Sequence, residues 1–181
     1  MTRLDFTITF HTPFRVARGQ GGGGSHDTID ERDQLPATSM AGVVRATAKK
    51  LLGSQNPVID EVFGSDGNPS PWRWSPVRPD GDWHGAQPAA RVRIDQHSRT
   101  AQGHMLILAD HTGADQGRFS ITKFRYVPRE RLAVHQAVLK VAAQATCSLG
   151  AWRRRGSGWV GIRCAEEINE ETVRIFLGLK R

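Results

Sequence analysis

The sequence predicts an α+β domain: a ferredoxin-like or RRM-like sheet with two main helices on one face, Gly-rich loops and a Pro/Trp-rich insertion. Three observations predict it. A segment of strand period opens the chain, two segments of helix period lie well apart along it, and further strand-period segments surround the second of them. The 181 residues, 38% of them hydrophobic, are enough for one domain with a core that needs no staples.

The first strand is Leu4 to Phe10, LDFTITF, with Leu4, Phe6, Ile8 and Phe10 facing one way. Arg18 to Ser25, RGQGGGGS, holds five glycines and reads as part of a flexible loop over residues 18–34. A helix follows from Met40, with Thr38 or Ser39 as cap, an apolar face of Met40, Val43, Val44, Thr47 and Leu51, and Gly53 as its end. Residues 65–89 are rich in proline and glycine and carry Trp72, Trp74, Trp83 and His84. They read as an irregular excursion from the core. Three strands are expected next: Arg91 to Asp95, the apolar run Met105 to Ala109 as a central strand, and the alternating Arg118 to Phe124. The longest helix spans about Arg129 to Leu149 on a face of Val134, Val138, Val141, Ala145 and Leu149, which places Cys147 in the core. A last strand, Gly156 to Cys164, and a short helix capped by Asn169 complete the chain.

Composition narrows function. No run approaches the ~18 apolar residues of a membrane span, and the alternating N-terminus is unlike a secretory signal. Two cysteines, Cys147 and Cys164, exclude a disulfide scaffold and a four-cysteine zinc site, so a cytoplasmic protein is expected. Twenty-five Lys and Arg against eighteen Asp and Glu give a net charge of +7. Only five of the basic residues are lysines, leaving 20 arginines. Arginine's planar fork suits phosphate and stacks on bases, so a polyanionic partner is expected, although GC-rich coding sequence also favours arginine.

Two segments could carry chemistry. In Leu149 to Val160, LGAWRRRGSGWV, Arg153, Arg154 and Arg155 precede Gly156 and Gly158 between a helix and a strand. Arginines with glycine-freed amides make a phosphate site; the alternative is a solvated basic turn. A P-loop is excluded because no lysine follows the last glycine. In His26 to Arg45 the carboxylates Asp27, Asp30, Glu31 and Asp33 cluster after the glycine loop. They pair with arginines such as Arg32, hold a divalent metal, orient a 2′-hydroxyl, or are simply solvated. His97, His104 and His111 match no metal-ligand spacing and read as structural.

The order of these motifs resembles the RAMP superfamily of CRISPR-associated proteins, especially the repeated backbone subunit of type III (Csm/Cmr-like) effector complexes. Asp27 stands six residues before Asp33 of an Arg32-Asp33 pair. Leu35-Pro36-Ala37-Thr38-Ser39-Met40-Ala41-Gly42 takes the place of the family's helix-opening signature, with Arg45 just inside. Val62-Phe63-Gly64 closes the helical part. Ala90 to Asp95, His97 to Ala101, and Leu149-Gly150 through Gly158 resemble later family segments, the last its glycine-rich loop. The chain departs from the signature at Ala37 and Ala41, where the family has glycine and lysine.

The resemblance implies a CRISPR RNA-binding subunit that assembles with copies of itself and other subunits of a type III complex, away from membranes. Guide RNA contacts would fall to Arg15, Arg18, Ser39, Arg45, Arg153, Arg154, Arg155, Gly156 and Gly158. Asp27 would cut guide-paired target RNA, orienting or deprotonating the 2′-hydroxyl or binding a divalent metal, Mg or Mn. Trp72, Trp74 and Trp83 could stack on bases or anchor the excursion. The alternatives are a non-cleaving guide-binding subunit and a metal-independent precursor-RNA processing nuclease using His26 or His11.

Overall fold

The computed structural model describes residues 2–17, 28–103 and 105–180, residue 154 by its backbone alone. Strand β1, Arg3–Phe10, alternates as expected and buries Leu4, Phe6 and Ile8. Helix α1 runs Ala37–Leu52, three residues earlier than its pattern of caps suggests. Pro36 takes the cap position in place of Thr38 or Ser39, because its fixed φ of −59° already suits a helix start. Gly53 ends the helix at a φ of 96°. Helix α2, Pro57–Phe63, is capped by Asn56, whose side chain accepts from the Val58 amide. It stops at Gly64, where a Cβ would stand 2.5 Å from the Ser70 nitrogen.

The excursion is less irregular than its composition implies. Strands β2 (Gly64–Ser65) and β3 (Asn68–Pro69) form a small hairpin. Strands β4 (Trp72–Trp74) and β5 (Arg78–Pro79) then join the main sheet along β8, Gln116–Lys123. Strand β6 (Gln87–Arg91) pairs with β7 (Ile107–His111) as a separate two-stranded hairpin. The run Met105 to Ala109 is therefore not a central strand: Met105, Leu106 and Ile107 are each nearly half exposed on the hairpin. Arg91 to Asp95 is not a strand either; β6 ends at Arg91, and Ile94 makes only an isolated bridge to Ala101.

Helix α3 spans Arg129–Gln144. It stops short of Leu149, so Ala145 and Cys147 are exposed rather than core. A 3₁₀ turn over Arg153–Arg155 leads to β9, Val160–Cys164, and α4, Glu170–Leu177, whose cap is Asn169 as expected. The main sheet runs β4-β8-β1-β9 with every neighbouring pair antiparallel. Strand β8 lies between β1 and β4, and β1 lies between β8 and β9. Each helical connection thus skips a strand, which is the ferredoxin-like arrangement. The inward face of β1 meets Met40, Val44 and Ala48 of α1, Val138, Leu139 and Ala142 of α3, and Phe119 and Ile121 of β8 in one core. Phe6 stacks on Phe119 at 4.9 Å between centroids. Each large apolar side chain so buried contributes about 1.5–3 kcal/mol. Among the described residues no helix is long and apolar enough to cross a membrane.

Candidate nucleic-acid interface

The chain leaves β1 at Phe10 and reaches Phe14, which pairs with Thr112 through N–H···O bonds of 2.8 and 2.9 Å. Arg15 comes next, with only 7% of its surface exposed. Its carbonyl accepts from the Ala151 amide at 2.8 Å. That joint brings the Arg15 backbone so close to Gly150 that a Cβ there would lie 2.4 Å from the Arg15 carbonyl oxygen. Gly158 is tighter still: its Cβ would sit 2.0 Å from the Leu149 oxygen. Both glycines also have positive φ. Their task is close backbone packing. The Gly158 amide donates to the Pro13 carbonyl at 2.8 Å, so it is used within the fold and does not face an anion. Gly156, with a φ of 85° and open space around it, ends the arginine turn.

Trp152 sits at the start of that turn in the left-handed region, at a φ of 62° that few non-glycine residues adopt. The Arg15 guanidinium lies 4.4 Å from its ring centroid and that of Arg91 4.2 Å. His111 meets the same ring edge-on at 5.2 Å. Arg91 and His111 arrive together because β6 and β7 pair in register, with Ala89 opposite Ala109; residues 91, 89, 109 and 111 then share one face of the hairpin. Desolvation, then Arg155 and Arg15, hold the Arg91 pKa below its ordinary value. Desolvation, then Arg15 and Arg91, likewise depress His111, against an opposing pull from Asp110. The His111 Nε2 is buried without a hydrogen-bond partner among the described residues. Arg91, Arg153 and Arg155 make no ion pair with a described carboxylate. Such a gathering of like charge suits a polyanion.

Arg15 also lines a cleft of about 320 Å³ between its own segment and α1. Ser39 and Gly42 form one wall, Gly150, Ala151 and Arg153 the other. Arg15 and Arg153 are its only charged lining residues among those described. The first turn of α1 adds its partial positive charge. The expected RNA contacts thus divide. Arg15, Ser39 and Arg153 come together, and Arg155 and Gly156 adjoin them. Arg45 does not line the cleft: its Nη2 donates to Asp60 Oδ1 at 2.9 Å across α1 and α2. Arg18 and Asp27, along with His26, lie outside the described residues. Ala17 and Ile29, which flank that segment, pair in an isolated bridge, and Ala17 lines the cleft.

Sequence reasoning missed Arg91, Trp152 and His111. The tryptophan directly before three arginines was the available signal for one of them. Of the other tryptophans, Trp72 and Trp83 anchor the excursion: Trp72 is buried, and Trp83 packs edge-on against Phe10 and Phe14. Trp74 stacks on Phe119. Among the described residues no three His, Cys, Asp or Glu side chains group closely enough to hold a metal ion.

Two structures of similar fold are type III-B Cmr-beta assemblies determined by cryo-EM. A chain in the assembly bound to cognate target RNA superposes with a TM-score of 0.61 at 18% identity, over 90% of this chain and 58% of that one. A chain in the apo state gives 0.64 at 11% identity, over 91% of this chain and 98% of that one. This chain thus spans less than two thirds of the first neighbour's length. No curated protein matches it. The model of the RAMP superfamily matches residues 7–161, from within β1 to within β9 and across the whole arginine cleft, and the chain accordingly belongs to that superfamily.

Proposed function

We propose that the chain is a guide-RNA-binding backbone subunit of a type III CRISPR effector complex. One observation carries this reading: Arg15, Arg91 and Arg155 crowd about Trp152 beside a cleft with no described carboxylate in its lining. Guanidinium groups there grip phosphates, giving affinity that is independent of sequence and sensitive to salt. Sequence is read by base pairing. The fold shared with chains of a target-RNA-bound Cmr-beta assembly supports the same placement. Other subunits of the complex, copies of this chain among them, are its partners.

In this reading Asp27 serves cleavage of the paired target RNA. It orients or deprotonates the target's 2′-hydroxyl, which attacks the adjacent phosphorus and expels the 5′-oxygen, leaving a 2′,3′-cyclic phosphate. A divalent metal, Mg or Mn, would supply charge neutralisation at the phosphate. The Ala17–Ile29 bridge at the rim of the cleft supports this role, because Asp27 lies two residues before Ile29. Copurification with genomic neighbours, followed by sequencing of bound RNA, tests the guide reading; a uniform population with a repeat-derived tag is expected, and random RNA refutes it. Asp27→Ala should abolish target cutting while the guide is retained. Persistent cutting in that variant removes Asp27 from the chemistry.

A further inference from the structure

A second group of arginines and aromatic rings lies at the other end of β1. Lys123, Phe124, Arg125 and Tyr126 follow in sequence as β8 ends. The Lys123 amide donates to the Thr2 carbonyl, so the segment sits beside the start of β1, while the Trp152 cleft adjoins its end. Eight strand residues separate the two by about 25 Å. Phe124 is 43% exposed and Tyr126 85%. Arg73 of β4 places its guanidinium 4.7 Å from the Phe124 centroid, and that of Arg125 lies at 5.4 Å. Neither arginine has an ion pair among the described residues. The backbone here is fixed: the Phe124 and Arg125 amides both donate to the Pro71 carbonyl, at 3.1 and 3.3 Å, and Val127 is buried just beyond. In the shallow cleft beside Tyr126, Glu61 is the only acidic residue among the described lining, and Arg131 holds it at 2.6 and 3.0 Å.

We propose that Arg73, Lys123, Phe124, Arg125 and Tyr126 form a second surface for single-stranded RNA, separate from the Trp152 cleft. Exposed rings on a fixed backbone accept bases by stacking, and the guanidinium groups and the lysine hold the phosphates between them. This combination favours a nucleic acid over an acidic protein, which would use the cations and leave the rings unmatched. The proposal stands whether or not the Trp152 cleft holds a guide.

The test uses the full chain carrying Arg91→Ala and Arg153→Ala, which weakens the cleft, and a short fluorescein-labelled oligouridylate. Residual binding by anisotropy should fall about tenfold or more on adding Phe124→Ala and Tyr126→Ala. Adding Arg73→Ala and Arg125→Ala instead should flatten its salt dependence. The melting temperature should not move in either case. A 4-thiouridine version of the probe should crosslink to the peptide containing Tyr126. Unchanged affinity with no crosslink overturns the proposal. So does loss of a copurifying protein partner while RNA affinity stays intact, which would make the patch a protein-docking surface.

Discussion

Trp152 and Phe124 each lie against two arginines, yet they are built by opposite means. Trp152 is held by backbone: its own left-handed φ, the Gly150–Arg15 joint and the Gly158–Leu149 contact fix it, and its two cations arrive from two segments distant along the chain, after β1 and in β6. Phe124 continues an ordinary strand end, and its arginines come from its neighbour in sequence and from the adjacent strand. The first arrangement stores strain and like-charge repulsion in return for a fixed shape. The second is cheap, local and open to water. The difference teaches where substitutions should act on stability and where on binding alone.

The strongest test of that contrast is Gly158→Ala. Its Cβ would overlap the Leu149 carbonyl at 2.0 Å in a left-handed conformation, so a loss of about 3–5 kcal/mol is expected by chemical denaturation. Phe124→Ala, by comparison, should stay within about 0.5 kcal/mol of the parent. Equal effects would erase the distinction. Next comes the floor of the Phe124 end, where buried Trp72 stands opposite Lys123 and donates from Nε1 to His135 Nδ1 at 3.1 Å. Trp72→Phe leaves that nitrogen unpaired and should cost about 1–3 kcal/mol. A neutral result would show that the patch needs no rigid support.

Arg91→Ala should leave stability intact, or raise it slightly by relieving repulsion. It should lower guide affinity several-fold and reduce the slope of log K against log salt by about 1. Arg45→Ala, whose partner is Asp60, should change the slope little. A reversed outcome would move the RNA path from the hairpin to α1. The smallest expected effect is on pH. His111 has a depressed pKa, so its contribution to stability is complete above the ordinary value near 6.5 and is lost as pH falls below it. A bound polyanion offsets Arg15 and Arg91 and raises that pKa. Binding then takes up a proton, and RNA affinity should increase as pH drops below about 6.5. His111→Gln should flatten the profile, measured by anisotropy.

Much of this was legible in the sequence, and the limits have identifiable causes. Alternation over Leu4–Phe10 gave β1, and the Asn169 cap gave α4, because both signals are local. Helix α3 reads too long because Ala145 and Leu149 keep the helical spacing after the helix has ended at Gln144. Met105 to Ala109 reads as central because an apolar run looks the same in a core and on an exposed hairpin. In the site, residue type pointed to Arg153, and the family resemblance added Arg15. It could not show that Asp60 takes up Arg45, or that Arg91 crosses from the hairpin to Trp152. Those depend on pairing between segments distant along the chain, and a left-handed tryptophan leaves no mark in a sequence.

The hairpin has one further consequence. Residues 80–115 depart and come back through adjoining rungs, since Pro79 faces Gly117 and Arg78 faces Arg118. The main sheet closes without them. The base of this arm is tied down by the Phe14–Thr112 pairing and by Trp83, so it is the tip that can lengthen, shorten or change while the strand pairing beneath it is kept.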